Sequence, residues 1–125
     1  GDKSYLREEL WGKGGIMKLH QPHYVHIGCH TYRIEVGNFP DMHDEHVKAD
    51  VNWRLGLIRI HGNRPHSEKL VSLLHEFIHI AAEHLCKGDP EVPESLANAL
   101  AEGLAQMLQS IGVEFDWGEE GSEVA

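Results

Sequence analysis

Cysteine, basic residues and long apolar runs are all scarce in this sequence. The two cysteines, Cys29 and Cys86, lie far apart and form no CxxC pair. They read as free thiols of a reducing compartment rather than as a disulfide. Lysine and arginine number 11 against 20 aspartates and glutamates, a formal net charge of -9. Such a chain repels a phosphate backbone, so nucleic acid is not an expected partner. No apolar stretch approaches the roughly 20 residues of a membrane-spanning helix. The opening GDKSYLREELWGKGGI also lacks the basic region, apolar segment and cleavage site of a signal peptide. The expectation is a soluble, cytoplasmic protein without a membrane partner.

What the chain does contain is ordinary in bulk and unusual in one residue type. Its 125 residues, 41% hydrophobic and 25% charged, suffice for one domain with its own core. Eleven histidines are the anomaly. Imidazole is the commonest neutral metal ligand and a proton carrier near pH 7, but abundance alone assigns neither role.

Residues 1–16 read as an N-terminal extension, native or added, with a short amphipathic turn at YLREEL. A single domain is expected over 17–112. Tyr24 to Ile27 and Thr31 to Val36 are two β-rich runs broken by Gly28. Ala49 to Trp53 and Leu57 to His61 form a second pair around a turn. Apolar positions at helical spacing then run from about Ser67 to Leu85, closed by Lys87-Gly88. DPEVP is a linker, Pro93 suits the start of a new helix, and ESLANALAEGLAQMLQSIG carries that helix to Gly112. The acidic end, 113–125, reads as a solvated tail. Strands followed by two helices imply an α+β domain, with the helices stacked on a small antiparallel sheet.

Inside the first helix stands His75-Glu76-Phe77-Ile78-His79, an HExxH pattern. Residues four apart on a helix are neighbours, with β-carbons about 6 Å apart, so His75 and His79 can address one ion. Glu76 reaches the edge of the same site, the arrangement of a zinc-bound water beside a carboxylate. In a histidine-rich chain those five letters also arise by chance. Here they fall among Leu73, Leu74, Phe77, Ile78 and Ile80, where unpaired polar groups would cost about 1–3 kcal/mol each.

Two imidazoles need a third protein ligand for a catalytic ion with one position left for water. Ala82 and Leu85 stand where an HxxGxxH continuation needs Gly and His, and no histidine follows His84. The third ligand should therefore be a carboxylate of the next helix, either Glu94 or Glu102. Leu96, Leu100, Gly103, Leu104, Met107, Leu108 and Ile111 form the greasy face of that helix, and Ala97, Ala101 and Ala105 a small-residue stripe that also carries Glu94. Glu102 points away from the greasy face, but an antiparallel return sets it level with His79. Asn98 is a candidate to orient a ligand, or an ordinary surface amide. Glu83 reads as supporting or solvated, His84 and Cys86 as structural, and His61 and His66 as surface histidines.

LLHEFIH followed by ESLANALAEGLAQML, with DVNWRLGLIRIHG before it, resembles the small phage and bacterial zinc metallopeptidases of the gluzincin type. The resemblance spans roughly residues 24 to 111. It implies a minimal zincin-like domain, His75 and His79 as zinc ligands, Glu76 as general base, and a glutamate of the second helix as third ligand. Glu94-Ser95-Leu96-Ala97-Asn98 is similar to the ExxAN segment of metallopeptidases that act with phage or mobile-element repressors. Glu102-Gly103-Leu104-Ala105 looks like the EGLA of other gluzincins, so the two likenesses select different glutamates. The function so implied is zinc-dependent hydrolysis of a protein or peptide. The alternative is a zinc-stabilised binding module, in which His61, His66 or Glu102 would close the fourth metal position. The sequence specifies no oligomeric state.

Overall fold

The computed structural model describes residues 15–42, 48–88 and 91–118. Among them run β1 (Met17–His20), β2 (Tyr24–Ile27), β3 (His30–Gly37), β4 (Ala49–Asn52), β5 (Leu57–His61), α1 (His66–Leu85), α2 (Glu94–Ser110) and β6 (Val113–Asp116). The domain is α+β, as the order of patterns implies. The turn of helix expected at YLREEL lies outside the described residues.

The sheet is mixed rather than antiparallel throughout. Its order is β2-β3-β5-β4, with β3 and β5 parallel and the other neighbours antiparallel. β5 carries Ile58 and Ile60, both with no exposed surface. A strand this apolar on its inner face gains most from a central place. Inserting it between β3 and its hairpin partner β4 makes it parallel to β3. The outer strands are consequently β2 and β4.

α1 lies between the sheet and α2. Leu70, Leu73 and Ile80 join Tyr32, Ile34, Ile58 and Ile60 in the core. This placement explains a helix apolar on more than one face. Its opposite side meets α2 through Ala97, Ala101 and Ala105, all buried. The large side chains of α2 face outward instead: Leu96, Leu100, Leu104, Met107 and Ile111 are exposed, against the expectation that they form the buried face. No helix among the described residues is long and apolar enough to cross a membrane.

Residues 113–118, read from sequence as the start of a solvated tail, belong to the domain. β6 pairs in parallel with β1, Met17 opposite Val113. Gly112 makes the return possible. It has φ +86°, and a β-carbon there would collide with the Gly15 carbonyl oxygen. Trp117 then enters the core, 5% exposed. Lys69 of α1, fully buried, donates from Nζ to the Gly62 carbonyl at 3.2 Å and sits 5.7 Å from the centre of the Trp117 ring. Cys29 and Cys86 are free and exposed.

Trp117→Ala is expected to cost about 3–5 kcal/mol in denaturant unfolding. A change near zero would return this segment to a solvated tail.

Candidate metal centre

The site is assembled from two helices. His75 and His79 stand one turn apart on the side of α1 that faces α2, while Glu94 is the first residue of α2, directly after Pro93. Proline has no backbone N–H to lose at a helix start and holds the chain turned into it. The alanine stripe lets the two backbones approach, so the Glu94 side chain spans the remaining gap.

The three groups converge. His75 Nε2 lies 3.0 Å from one Glu94 oxygen, His79 Nε2 lies 2.8 Å from the other, and the two Nε2 atoms are 3.2 Å apart. All three residues offer ligand atoms within 4.8 Å of one another. An ion bound tetrahedrally with bonds of about 2.0–2.1 Å has ligand-to-ligand edges of roughly 3.3 Å, close to the separation of the two Nε2 atoms, and each nitrogen has one Glu94 oxygen at a similar distance. His75, His79 and Glu94 therefore form a group that could hold a metal ion. The His75 Nδ1 atom is buried and has no hydrogen-bond partner among the described residues. The imidazoles are mostly covered, at 14% and 22% side-chain exposure, whereas Glu94 is 74% exposed and accessible from solvent.

Glu76, half-buried beside His75, has its carboxyl pushed up to about 7. Burial is the main cause, and the charges of Glu94 and Asp50 add to it. A carboxyl poised there exchanges protons near neutrality.

Two grooves flank the group. One, of about 740 Å³, is lined by Glu68, Ser72 and His75 of α1, by Asn98 and Glu102 of α2, and by Lys48. The other, of about 780 Å³, is lined by Asp50, Val51, Trp53, His79, Glu83 and Glu91. Both include Ala49, Glu76 and Glu94. They therefore meet beside the metal group, and the second continues along β4 past Asp50 and Val51. β4 pairs on one side with β5 and on its other side with no strand among the described residues.

Of the two candidate third ligands, the structure brings Glu94 to the histidines. Glu102 lines the cleft wall two turns further on and is not part of the group. Asn98 is exposed on that wall, and Glu83 is exposed in the second groove. His61 is not a surface residue: it is 9% exposed and donates from Nε2 to the Met42 carbonyl at 3.0 Å. His66 is partly buried, and neither it nor His61 belongs to the metal group. His84 is hydrogen-bonded through Nε2 to the Tyr32 hydroxyl at 2.7 Å and stacks on His30. The β4 wall of the cleft was not read as functional from sequence. Its pattern, ADVN beside a more apolar strand, carries the weak mark of an edge.

The chain matches no family model, no curated protein and no solved structure.

Zinc is expected to raise the melting temperature of the protein, and Glu94→Ala to remove most of that gain while Glu102→Ala leaves it. Calorimetric titration with zinc gives the same ranking, and the reverse ranking would reassign the ligand. In metal-free protein the Glu76 carboxyl should titrate by NMR near pH 7. Its folded value lies above the unfolded one, so its stabilising contribution is complete below the unfolded value of about 4.5 and is lost as pH rises through about 7. A cation that offsets the Glu94 charge should lower that value, and an unchanged titration would separate Glu76 from the metal group.

Proposed function

We propose that the chain is a minimal zincin-like, zinc-dependent metallopeptidase. The observation that supports this most is the convergence of two imidazole nitrogens and one carboxylate at 2.8–3.2 Å, with a proton-exchanging carboxyl, Glu76, on the adjacent residue. Two nitrogens and one carboxylate oxygen are the donor set of catalytic zinc sites that retain an open position. When bound, zinc would lower the pKa of a coordinated water toward neutrality and polarise a carbonyl.

Glu76 takes the role of general base, accepting a proton as water attacks a peptide carbonyl and returning it to the departing amine nitrogen. Its half-buried position beside Glu94 keeps its proton affinity near that needed for both transfers. β4 supplies the substrate-binding edge. An extended peptide adding to the side of β4 that no strand covers among the described residues would run past the metal group. Ala49 and Val51 of β4 pack partly against the core and, with Asp50, also line the groove, so a peptide on this edge meets these side chains as well as main-chain groups. The exposure of Glu94 leaves the centre open to a polypeptide from solvent.

A purely structural metal site would close all four positions with protein groups. Among the described residues the group contains three, and the candidates for a fourth, His61, His66 and Glu102, are not among them. That composition favours catalysis over a metal-stapled binding module.

Glu76→Gln is expected to reduce cleavage of a fluorogenic peptide library by about 10²–10⁴-fold. Zinc content and melting temperature should stay near those of the parent. Undiminished cleavage, or loss of zinc, would contradict the assigned role.

A further inference from the structure

The two grooves beside the metal group differ in chemistry. The one reaching from His75 is lined largely by hydroxyls and amides, among them Ser72, Asn98 and Gln106, and its lysine, Lys48, lies 3.5 Å from Glu68. The one reaching from His79 holds the carboxylates of Glu83 and Glu91 and the indole of Trp53, and among the described residues no lysine or arginine lines it. Asp50 borders it as well, but Arg59 binds that carboxylate through two nitrogens, at 2.9 and 2.5 Å. Glu83 is exposed to solvent in this groove.

Carboxylates on the surface of a chain of net charge -9 are ordinary. An open tryptophan among them is not. Trp53 follows β4 directly and is 49% exposed. Its ring is nevertheless fixed: Tyr32 meets it edge-on, at 6.1 Å between centres and 88° between planes, and His84 stands at 6.4 Å. An indole held by two rings and still half open offers π surface to whatever enters the groove. Such a surface beside carboxylates is an environment that binds a cation.

The groove also has a definite place relative to the metal group. Glu83 follows His79 by one helix turn, about 6 Å along α1. An extended peptide advances about 3.3 Å per residue. A group lying over Glu83 and Trp53 therefore belongs to a residue within two positions of the peptide bond at the metal group.

We infer that this groove is the specificity subsite of the enzyme and takes the guanidinium or ammonium of an arginine or lysine side chain flanking the bond to be cleaved, an assignment that rests on the peptidase reading of the metal group. Trp53 and Glu83 are the specificity-determining residues. The ring covers the aliphatic stem and attracts the charged head, and the carboxylate pairs with it. The opposite groove carries a lysine of its own and no aromatic ring, so the selectivity is one-sided. A free α-amino group bears the same charge and reaches this groove only when the cut falls within two residues of the peptide's N-terminus.

Cleavage of peptide libraries acetylated at the N-terminus and amidated at the C-terminus tests the inference. Zinc-loaded protein is expected to cut with lysine or arginine within two residues of the bond, on one side only, and with kcat/KM about tenfold above that for norleucine at the same position. Glu83→Gln and Trp53→Leu should each lower this ratio of basic to neutral substrate several-fold, and Glu83→Lys should shift the preference to acidic side chains. A preference seen only in peptides with a free N-terminus would overturn the side-chain assignment in favour of the α-amino group. A second arm needs no cleavage. With the Glu76→Gln protein, a blocked arginine peptide should shift the Trp53 indole N–H resonance, identified by its loss in Trp53→Leu. It should also bind about tenfold more tightly than its norleucine counterpart, less so as salt is added. Cleavage without a basic preference would overturn the inference and leave the peptidase reading intact. Equal binding of the two peptides would overturn it as well. Selective binding of the arginine peptide, with no cleavage by the unaltered protein, would instead sink the peptidase reading and keep the groove as a cation subsite.

Discussion

The close approach of α2 to α1 is the constraint on which the domain is organised. Ala97 and Ala101 have no exposed surface and Ala105 only 3%, so the two helices meet across methyl groups rather than leucines. Larger side chains there would push the axes apart, and overpacked contacts of this kind are costly. The short distance is what allows a glutamate at the first position of α2 to meet two histidines in the middle of α1. It also ties the polarity of HExxH to a place in the fold. The histidines sit in an apolar helix because their partner stands across the seam, and the seam is narrow enough for a carboxylate to cross.

The same constraint distributes the apolar residues. α1 takes its core contacts from the sheet on one side and from the alanines on the other, which leaves the leucines of α2 on the outside. The return through Gly112 then places Phe115 and Trp117 against the core. Trp117 and the buried Lys69 tie the segment after α2 to the helix that bears the histidines. The chain thus fixes α2 at both ends: by β6 and Trp117 after it, and at Glu94 before it when an ion is shared with the histidines.

Much of this was legible in the sequence, for reasons that can be named. Both helices and their limits follow from periodicity and from Pro93 and Gly112. The pairing of His75 with His79 follows from the four-residue spacing. Glu94 is marked by its place on the alanine stripe, while Glu102 competes through its level along an antiparallel helix, and the two family likenesses divide between them. The stripe itself was misjudged. Wheel reasoning gives the core to the largest apolar side chains, whereas a narrow helix seam selects the smallest. Sheet order was not legible, because alternation states which face of a strand is buried and not which strand lies beside it. The tail concealed a period-two signal: Val113, Phe115 and Trp117 alternate with Glu114 and Asp116, and the surrounding acidic residues masked it. His61 could not be told from a surface histidine, since its partner is a main-chain carbonyl nineteen residues away.

The claim that supports the functional reading is that one divalent ion is shared by α1 and α2 through these three side chains. Anomalous diffraction at the zinc edge, on crystals of protein prepared with zinc, measures it directly. A single peak bonded to Nε2 of His75, Nε2 of His79 and a carboxylate oxygen of Glu94, at about 2.0–2.2 Å, is the expected result. No ion at this position, or an ion held by Glu102 in place of Glu94, would contradict it.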